Sequence, residues 1–157
     1  MLKLVSWNVN GIRSAATKGL LEWVAREKPD MLCLQESKAD PDQLVKELLE
    51  HVDAEGRAYH AYWASAKKRG YSGVSIWSRE APRSVSFMGV DEFDDEGRTL
   101  VADYGDFLLV SAYFPNSRNR ERLESTLRLI GQGAVKVKEL VTHTVPPSAA
   151  AGLFEKL

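Results

Sequence analysis

The sequence predicts an α/β layered domain, and three observations carry that reading. Between Leu2 and Leu49 apolar strands alternate with amphipathic helices, the order that builds a sheet covered by helices. Between Tyr59 and Tyr113 short strands follow one another across turn residues, so antiparallel pairs join the parallel ones and the sheet is mixed. Two early strands, Lys3-Leu4-Val5-Ser6-Trp7-Asn8-Val9-Asn10-Gly11 and Met31-Leu32-Cys33-Leu34-Gln35-Glu36, end in amides and a carboxylate. Polar strand ends of this kind gather at one rim of a sheet, where α/β proteins build their sites.

The elements follow in order. Leu2 to Trp7 reads as a strand, and the turn at Asn10-Gly11 leads into a helix from about Ser14 to Glu27. Leu20, Leu21, Val24 and Ala25 give that helix one apolar face, and Pro29-Asp30 ends it. Met31 to Gln35 is nearly all apolar, the pattern of a strand buried on both faces. A second helix is signalled by Asp40 as cap, Pro41 in the first turn and Gln43 three residues after the cap. Leu44, Val45, Leu48 and Leu49 form its expected buried stripe. Strands are expected at Tyr59–Ala64, Gly73–Ser78, Arg83–Phe87, Arg98–Tyr104 and Phe107–Tyr113, the last two joined as a hairpin through Tyr104-Gly105-Asp106. From about Gly131 the character changes, and Val145 to Gly152 reads as a loop or a frayed end.

Composition narrows the function classes. A chain of 157 residues suits one domain with a real core. The net charge of −1 gives no overall pull toward nucleic acid or membrane, so any anion must be held by local clusters. The single Cys33 lies in an apolar strand and reads as a buried small hydrophobe rather than a nucleophile. One cysteine excludes an internal disulfide, no apolar run approaches the ~20 residues that span a bilayer, and the N-terminus passes straight into a strand without a signal peptide. The expected setting is cytoplasmic, with no membrane contact.

Several residues suit chemistry. Glu36 stands at a strand end, where a carboxylate suits Mg²⁺, a cation that prefers oxygen ligands and keeps several waters; it equally suits a cap on the following turn. Asn8 and Asn10 suit orienting that carboxylate, binding phosphate oxygens or satisfying loop backbone. Lys67-Lys68-Arg69-Gly70-Tyr71-Ser72-Gly73 is a basic cluster with an aromatic turn, fit for a phosphate backbone and for stacking, or for a solvated hairpin tip. Arg13 and Lys18, and later Arg118, Arg120 and Arg122, add positive loops. Tyr113 and Asn116 close a strand with a phenol and an amide, which in isolation fits a core edge. The acidic run Asp91 to Gly97 reads as a solvated loop, since its spacing does not match a calcium loop. Gly105-Asp106-Phe107 sits in the expected hairpin turn, His143 between Thr142 and Thr144 has no orienting carboxylate beside it, and His51 and His60 are likewise unsupported as general bases.

Taken in order, SWNVNGIRS, PDMLCLQESKA, GYSGVSIWS, DEGRTLVADY, LLVSAYFPNS and Glu121-Arg122-Leu123 resemble the exonuclease III family of DNA-repair nucleases. The resemblance covers about residues 1–129. It implies a deoxyribonuclease I-like four-layer sandwich, two mixed sheets flanked by helices. It also implies an exonuclease and abasic-site endonuclease of double-stranded DNA, using Mg²⁺ or Mn²⁺, in which water attacks phosphorus and a 3′-hydroxyl is released. By the same resemblance Glu36 and Asn8 belong to the metal site, Asn8, Glu36 and Tyr113 to catalysis, and Asn10, Arg13, Gly70, Tyr71 and Asn116 to DNA contact.

The resemblance stops after Leu129, and 130–157 reads as a divergent tail of the kind a frameshift or misjoined gene model gives. The family's later Gly-Asp-Phe-Asn and Ser-Asp-His motifs are absent from the sequence, so the domain is expected to be C-terminally truncated. Half of a two-sheet sandwich leaves an apolar sheet face for a partner to cover. A catalytically inactive fragment, or a DNA-binding module without cleavage, is the alternative expectation.

Overall fold

The computed structural model describes residues 2–53 and 55–115, which fall within one compact unit, Met1–Ser117. Asn116, the arginines after it, His143 and the tail from 130 lie outside the described residues.

Four strands make one sheet in the order β1 (Leu4–Asn8), β2 (Met31–Gln35), β4 (Val74–Ser78), β3 (His60–Ala64). β1 pairs parallel with β2, whereas β4 runs antiparallel to both β2 and β3, so this sheet is mixed as expected. A second sheet has the order β5 (Ser84–Ser86), β6 (Thr99–Asp103), β7 (Leu108–Ala112), and its two pairings are antiparallel. The predicted hairpin is present: Tyr104 donates its N–H to the Phe107 carbonyl at 3.0 Å between β6 and β7.

β2 and β4 are buried along their whole length, because each feeds two cores. Leu32 and Leu34 of β2, with Trp77 of β4, face the helices and meet Ile12, Leu20, Val24 and Leu48. Met31 and Cys33, with Val74 and Ile76, face the second sheet and meet Leu100, Ala102 and Leu109. Cys33 is thus the buried small hydrophobe expected, and burial pushes its thiol up to about 11. Sheet on sheet with helices outside is the layered architecture that the strand–helix order implied.

Two helices depart from expectation. The single helix expected from Ser14 to Glu27 is α1 (Ile12–Thr17) and α2 (Leu20–Glu27), split where Gly19 takes φ +94°, a conformation that interrupts helical hydrogen bonding. The second helix is cut short. The cap forms, with Gln43 Oε1 accepting the Asp40 N–H at 3.1 Å, but only a 3₁₀ turn over Pro41–Gln43 follows. Leu44 and Val45 are extended, Val45 faces solvent, and α3 is the single turn Lys46–Leu49, whose Leu48 reaches the core. The acidic run also gains a role: it opens with α4 (Asp91–Asp94), where the Asp94 carboxylate accepts the N–H groups of Met88 at 3.0 Å and Gly89 at 2.8 Å.

Among the described residues β1 and β7 each pair on one side only, and Leu2, Leu4, Trp7, Phe107, Leu108 and Phe114 are exposed there and nearby. No helix of these residues is long and apolar enough to cross a membrane.

The end of the first sheet opposite the polar rim is held by a buried knot. Asp53 accepts from Arg79 Nη1 at 2.6 Å and Arg57 Nε at 3.1 Å, while the Tyr59 hydroxyl donates to the Pro29 carbonyl at 2.6 Å. His51 packs beside it with ring centroids 5.7 Å from Tyr59 and 6.1 Å from Trp77. Burial pushes this imidazole below its ordinary range, with Asp53 opposing and Arg79 adding to the shift. His51 therefore gives up its proton more readily in the fold than in the unfolded chain, which protonates it near pH ~6.5. The unfolded state binds the proton first as pH falls, so this contribution to stability is complete above about pH 6.5 and is lost below it. In urea unfolding, His51→Gln is expected to lose less stability than the parent between pH 7.5 and 5; an equal loss in both refutes the assignment.

Candidate active site

The polar rim is built by backbone first. Asn8 is the register partner of Gln35, so β1 and β2 end side by side. Their pairing then continues beyond the strands: Val9 N–H donates to the Gln35 carbonyl at 3.0 Å, Gly11 to Glu36 at 2.7 Å and Ile12 to Ser37 at 2.9 Å. From the other side the loop before β4 joins, with Ser37 N–H donating to Gly73 at 3.1 Å and Lys38 to Ser72 at 2.9 Å. Asn10, Glu36, Lys38 and Ser72 all take positive φ, between 47° and 53°. Four non-glycine residues in this costly region at one rim mark a conformation imposed by its surroundings. Gly73 has no alternative here: at φ +88° a Cβ would collide with Ser37 Oγ.

This backbone converges the side chains. Asn8 Nδ2 donates to Glu36 Oε1 at 2.9 Å, and Asn8 Oδ1 accepts the Asn10 N–H at 3.0 Å. Lys38 Nζ lies 2.8 Å from Glu36 Oε2 and also bonds Asn10 Oδ1. The Asn8 amide and the Lys38 ammonium hold the Glu36 carboxyl below the usual carboxylate range, with burial opposing. Tyr113 arrives from the second sheet just past β7, and its N–H donates to the Arg98 carbonyl at 2.8 Å. Burial and the neighbouring Glu36 carboxylate push its phenol up to about 12.

The basic loop is less free than its sequence suggests. Lys67 pairs with Asp95 at 2.7 Å and Arg69 with Asp42 at 3.4 Å, while Lys68 lies 5.5 Å from the Tyr71 ring centroid. Arg13 and Gly70 are exposed. A pocket of about 230 Å³ lined by Trp7, Val9, Asn10, Ser14, Ala15 and Lys18 opens beside the rim.

Of the predicted residues, Asn8, Asn10 and Glu36 form one hydrogen-bonded group, and Tyr113 is electrostatically coupled to it. Tyr71 joins through Arg98, whose Nη2 donates to the Tyr71 hydroxyl at 2.9 Å. Among the described residues Arg13 and Gly70 make no hydrogen bond or ion pair with the group, and Asn116 lies outside the described residues. Sequence reasoning missed Lys38 and Arg98. Lys38 follows Glu36 by two positions, a faint signal; Arg98 opens an apolar strand and carried none.

Oxygen donors dominate the group. Among the described residues no cluster of three or more His, Cys, Asp or Glu is placed to hold a metal, so the donor set is one carboxylate with amide oxygens. That chemistry fits a hard cation that keeps most of its waters, such as Mg²⁺, and not a soft one.

Residues 5–153 match the model of the endonuclease/exonuclease/phosphatase family. The chain belongs to that family. This family member is 42% identical over 126 residues to the DNA repair nuclease APEX1 of Danio rerio, covering 78% of the chain and 39% of the relative. It is 39% identical over 119 residues to an exodeoxyribonuclease of Bacillus subtilis (strain 168), covering 74% of the chain and 44% of the relative. Among solved structures it is similar to an AP endonuclease from Archaeoglobus fulgidus, with a TM-score of 0.62 and 30% identity over 84% of the chain and 49% of that structure. The fold is the deoxyribonuclease I-like one that the motifs implied, and the chain spans less than half the length of the relatives named here.

The Asn8 hydrogen bond does most to hold the Glu36 carboxyl below the usual carboxylate range, so Asn8→Ala should move it upward. A ¹³C-detected pH titration of the Glu36 side chain is expected to show its midpoint rise; an unmoved midpoint removes Asn8 from the orienting role.

Proposed function

We propose that this chain carries the metal-binding and phosphate-contacting half of a DNA-repair phosphodiesterase acting on abasic sites and 3′ ends of duplex DNA. The observation that supports it best is the convergence of Asn8, Glu36 and Lys38 at one rim, electrostatically coupled to Tyr113, in a member of this family. The relatives named as repair nucleases and exodeoxyribonucleases support the substrate class.

Each residue has a part. Glu36 would hold Mg²⁺ or Mn²⁺, and the Asn8 and Asn10 amide oxygens would face the cation or its waters. The bound cation would supply charge stabilisation at the phosphate. Asn8 fixes the carboxylate rotamer from one side and Lys38 from the other. With its value near 12 the Tyr113 phenol keeps its proton at neutral pH, so it donates a hydrogen bond to a non-bridging phosphate oxygen. Arg13, Gly70, Tyr71 and Asn116 contact the duplex. Water attacks phosphorus, the P–O3′ bond breaks, and a 3′-hydroxyl leaves. The lone cysteine supports a reducing, cytoplasmic setting.

One observation favours a second reading, a DNA-binding module without cleavage: a single carboxylate is a sparse metal site. One experiment separates the two. The chain is incubated with a duplex bearing one abasic site, with Mg²⁺ or with chelator, beside an identically prepared Glu36→Ala protein. Incision that needs Mg²⁺ and falls at least about a hundredfold in the variant supports the nuclease. Salt-sensitive duplex binding with equal, background incision in both refutes it in favour of the binding module.

Lys38 is a cation standing where another must bind. Lys38→Met is expected to tighten Mn²⁺ binding to the DNA-free chain by about tenfold, since it removes one like charge within a few ångströms. Titration calorimetry reads this directly, and weaker binding in the variant would show that Lys38 builds the site rather than competing with it.

A further inference from the structure

Only 5% of Arg98 is exposed, an uncommon place for a guanidinium. Its contacts join two segments that are far apart in sequence. The side chain donates from Nη2 to the Tyr71 hydroxyl at 2.9 Å and from Nε to Glu96. Its guanidinium lies 5.8 Å from the Tyr71 ring centroid and 5.4 Å from that of Tyr113. Its main-chain carbonyl accepts the Tyr113 N–H at 2.8 Å. Nη1 is buried with no hydrogen-bond partner among the described residues. A buried, unpartnered donor is costly, and the two aromatic faces beside this guanidinium are its remaining electrostatic partners.

We propose that Arg98 is a positioning residue that couples the Tyr71 loop to the Tyr113 phenol, so that a duplex docking on Tyr71 sets the hydroxyl that meets the phosphate. This rests on the proposed nuclease reading and adds the route by which DNA contact and chemistry communicate. The planar fork is what makes the link. One rigid group bonds Tyr71 and Glu96 while lying against both rings, and its backbone anchors Tyr113 directly, so displacement of one ring moves the surface on which the other rests. Because Arg98 donates to the Tyr71 oxygen, the Tyr71 O–H is left to donate outward to an acceptor on the ligand. A lysine would keep the charge but lose the fork, and a methionine would keep bulk alone.

The test is a double-mutant cycle read on the free chain, with ¹³C-labelled tyrosine rings. Tyr71→Phe is made in the parent and in an Arg98→Met background, and the Tyr113 ring resonances are followed; Arg98→Lys serves as the background if Arg98→Met does not fold. Tyr71→Phe should shift Tyr113 in the parent and leave it unmoved once Arg98 is replaced. Equal shifts in both backgrounds, or no shift in either, overturn the coupling. This readout needs neither DNA nor metal, so it stands apart from the incision assay that decides the nuclease reading. In an incising chain, Arg98→Lys is expected to lower kcat about ten- to a hundredfold with KM changed less than about threefold. A rise in KM with kcat unchanged overturns the positioning role and leaves Arg98 as a binding residue.

Discussion

The N–H and C=O groups that follow β1 and β2 go on pairing after both strands have ended, and the rest of the rim hangs on that continuation. Three bonds of 2.7–3.0 Å tie Val9, Gly11 and Ile12 to Gln35, Glu36 and Ser37. Two more tie Ser37 and Lys38 to the loop before β4. Buried or half-buried backbone groups must find partners, and here the partners available force Glu36 and Lys38 into left-handed conformations. The turn of the chain at Glu36 aims its carboxylate at Asn8 rather than along the strand. A loop with free backbone groups would sample many orientations of the same side chain, and ordering it on binding would cost affinity.

Charge at the rim is balanced on a small scale. One carboxylate, one ammonium and two amides form a closed set in which every polar atom named has a partner. A similar economy holds in the basic loop, where Asp95 and Asp42 neutralise two of three cations. The near-neutral total charge of the chain, −1, is therefore repeated locally. Attraction for a polyanion comes from few uncompensated groups, Arg13 and Lys18 among those described, so long-range steering should be weak and short-range fit decisive.

Much of this was legible in the sequence, for identifiable reasons. An apolar run closed by Gln35-Glu36 states both a buried strand and the polarity of its end, and β2 is found at the expected Met31–Gln35. The strands from Tyr59 onward differ from expectation by no more than one residue at either end. Helix continuity was not legible. Leu20, Leu21 and Val24 keep an apolar face whether or not the helix starts before Gly19, and the periodicity cannot see a positive φ. The cap at Asp40 was read correctly, but a cap specifies where a helix starts and not how far it runs. Arg98 was invisible for a different reason. Its partner Tyr71 is 27 positions away, and an arginine beginning a strand normally extends into water.

The left-handed backbone at the rim has a cost that bears on how this chain can change. Asn10, Glu36, Lys38 and Ser72 each forgo about 1 kcal/mol that glycine would recover. At Glu36 and Lys38, the substitutions that relax the main chain most are also those that delete the side chains on which the chemistry is proposed to rest. Laboratory evolution toward heat resistance alone would therefore tend to erase this corner first, leaving a sturdier and emptier scaffold. A lineage that retains charged side chains at these two positions is being held there by something other than folding.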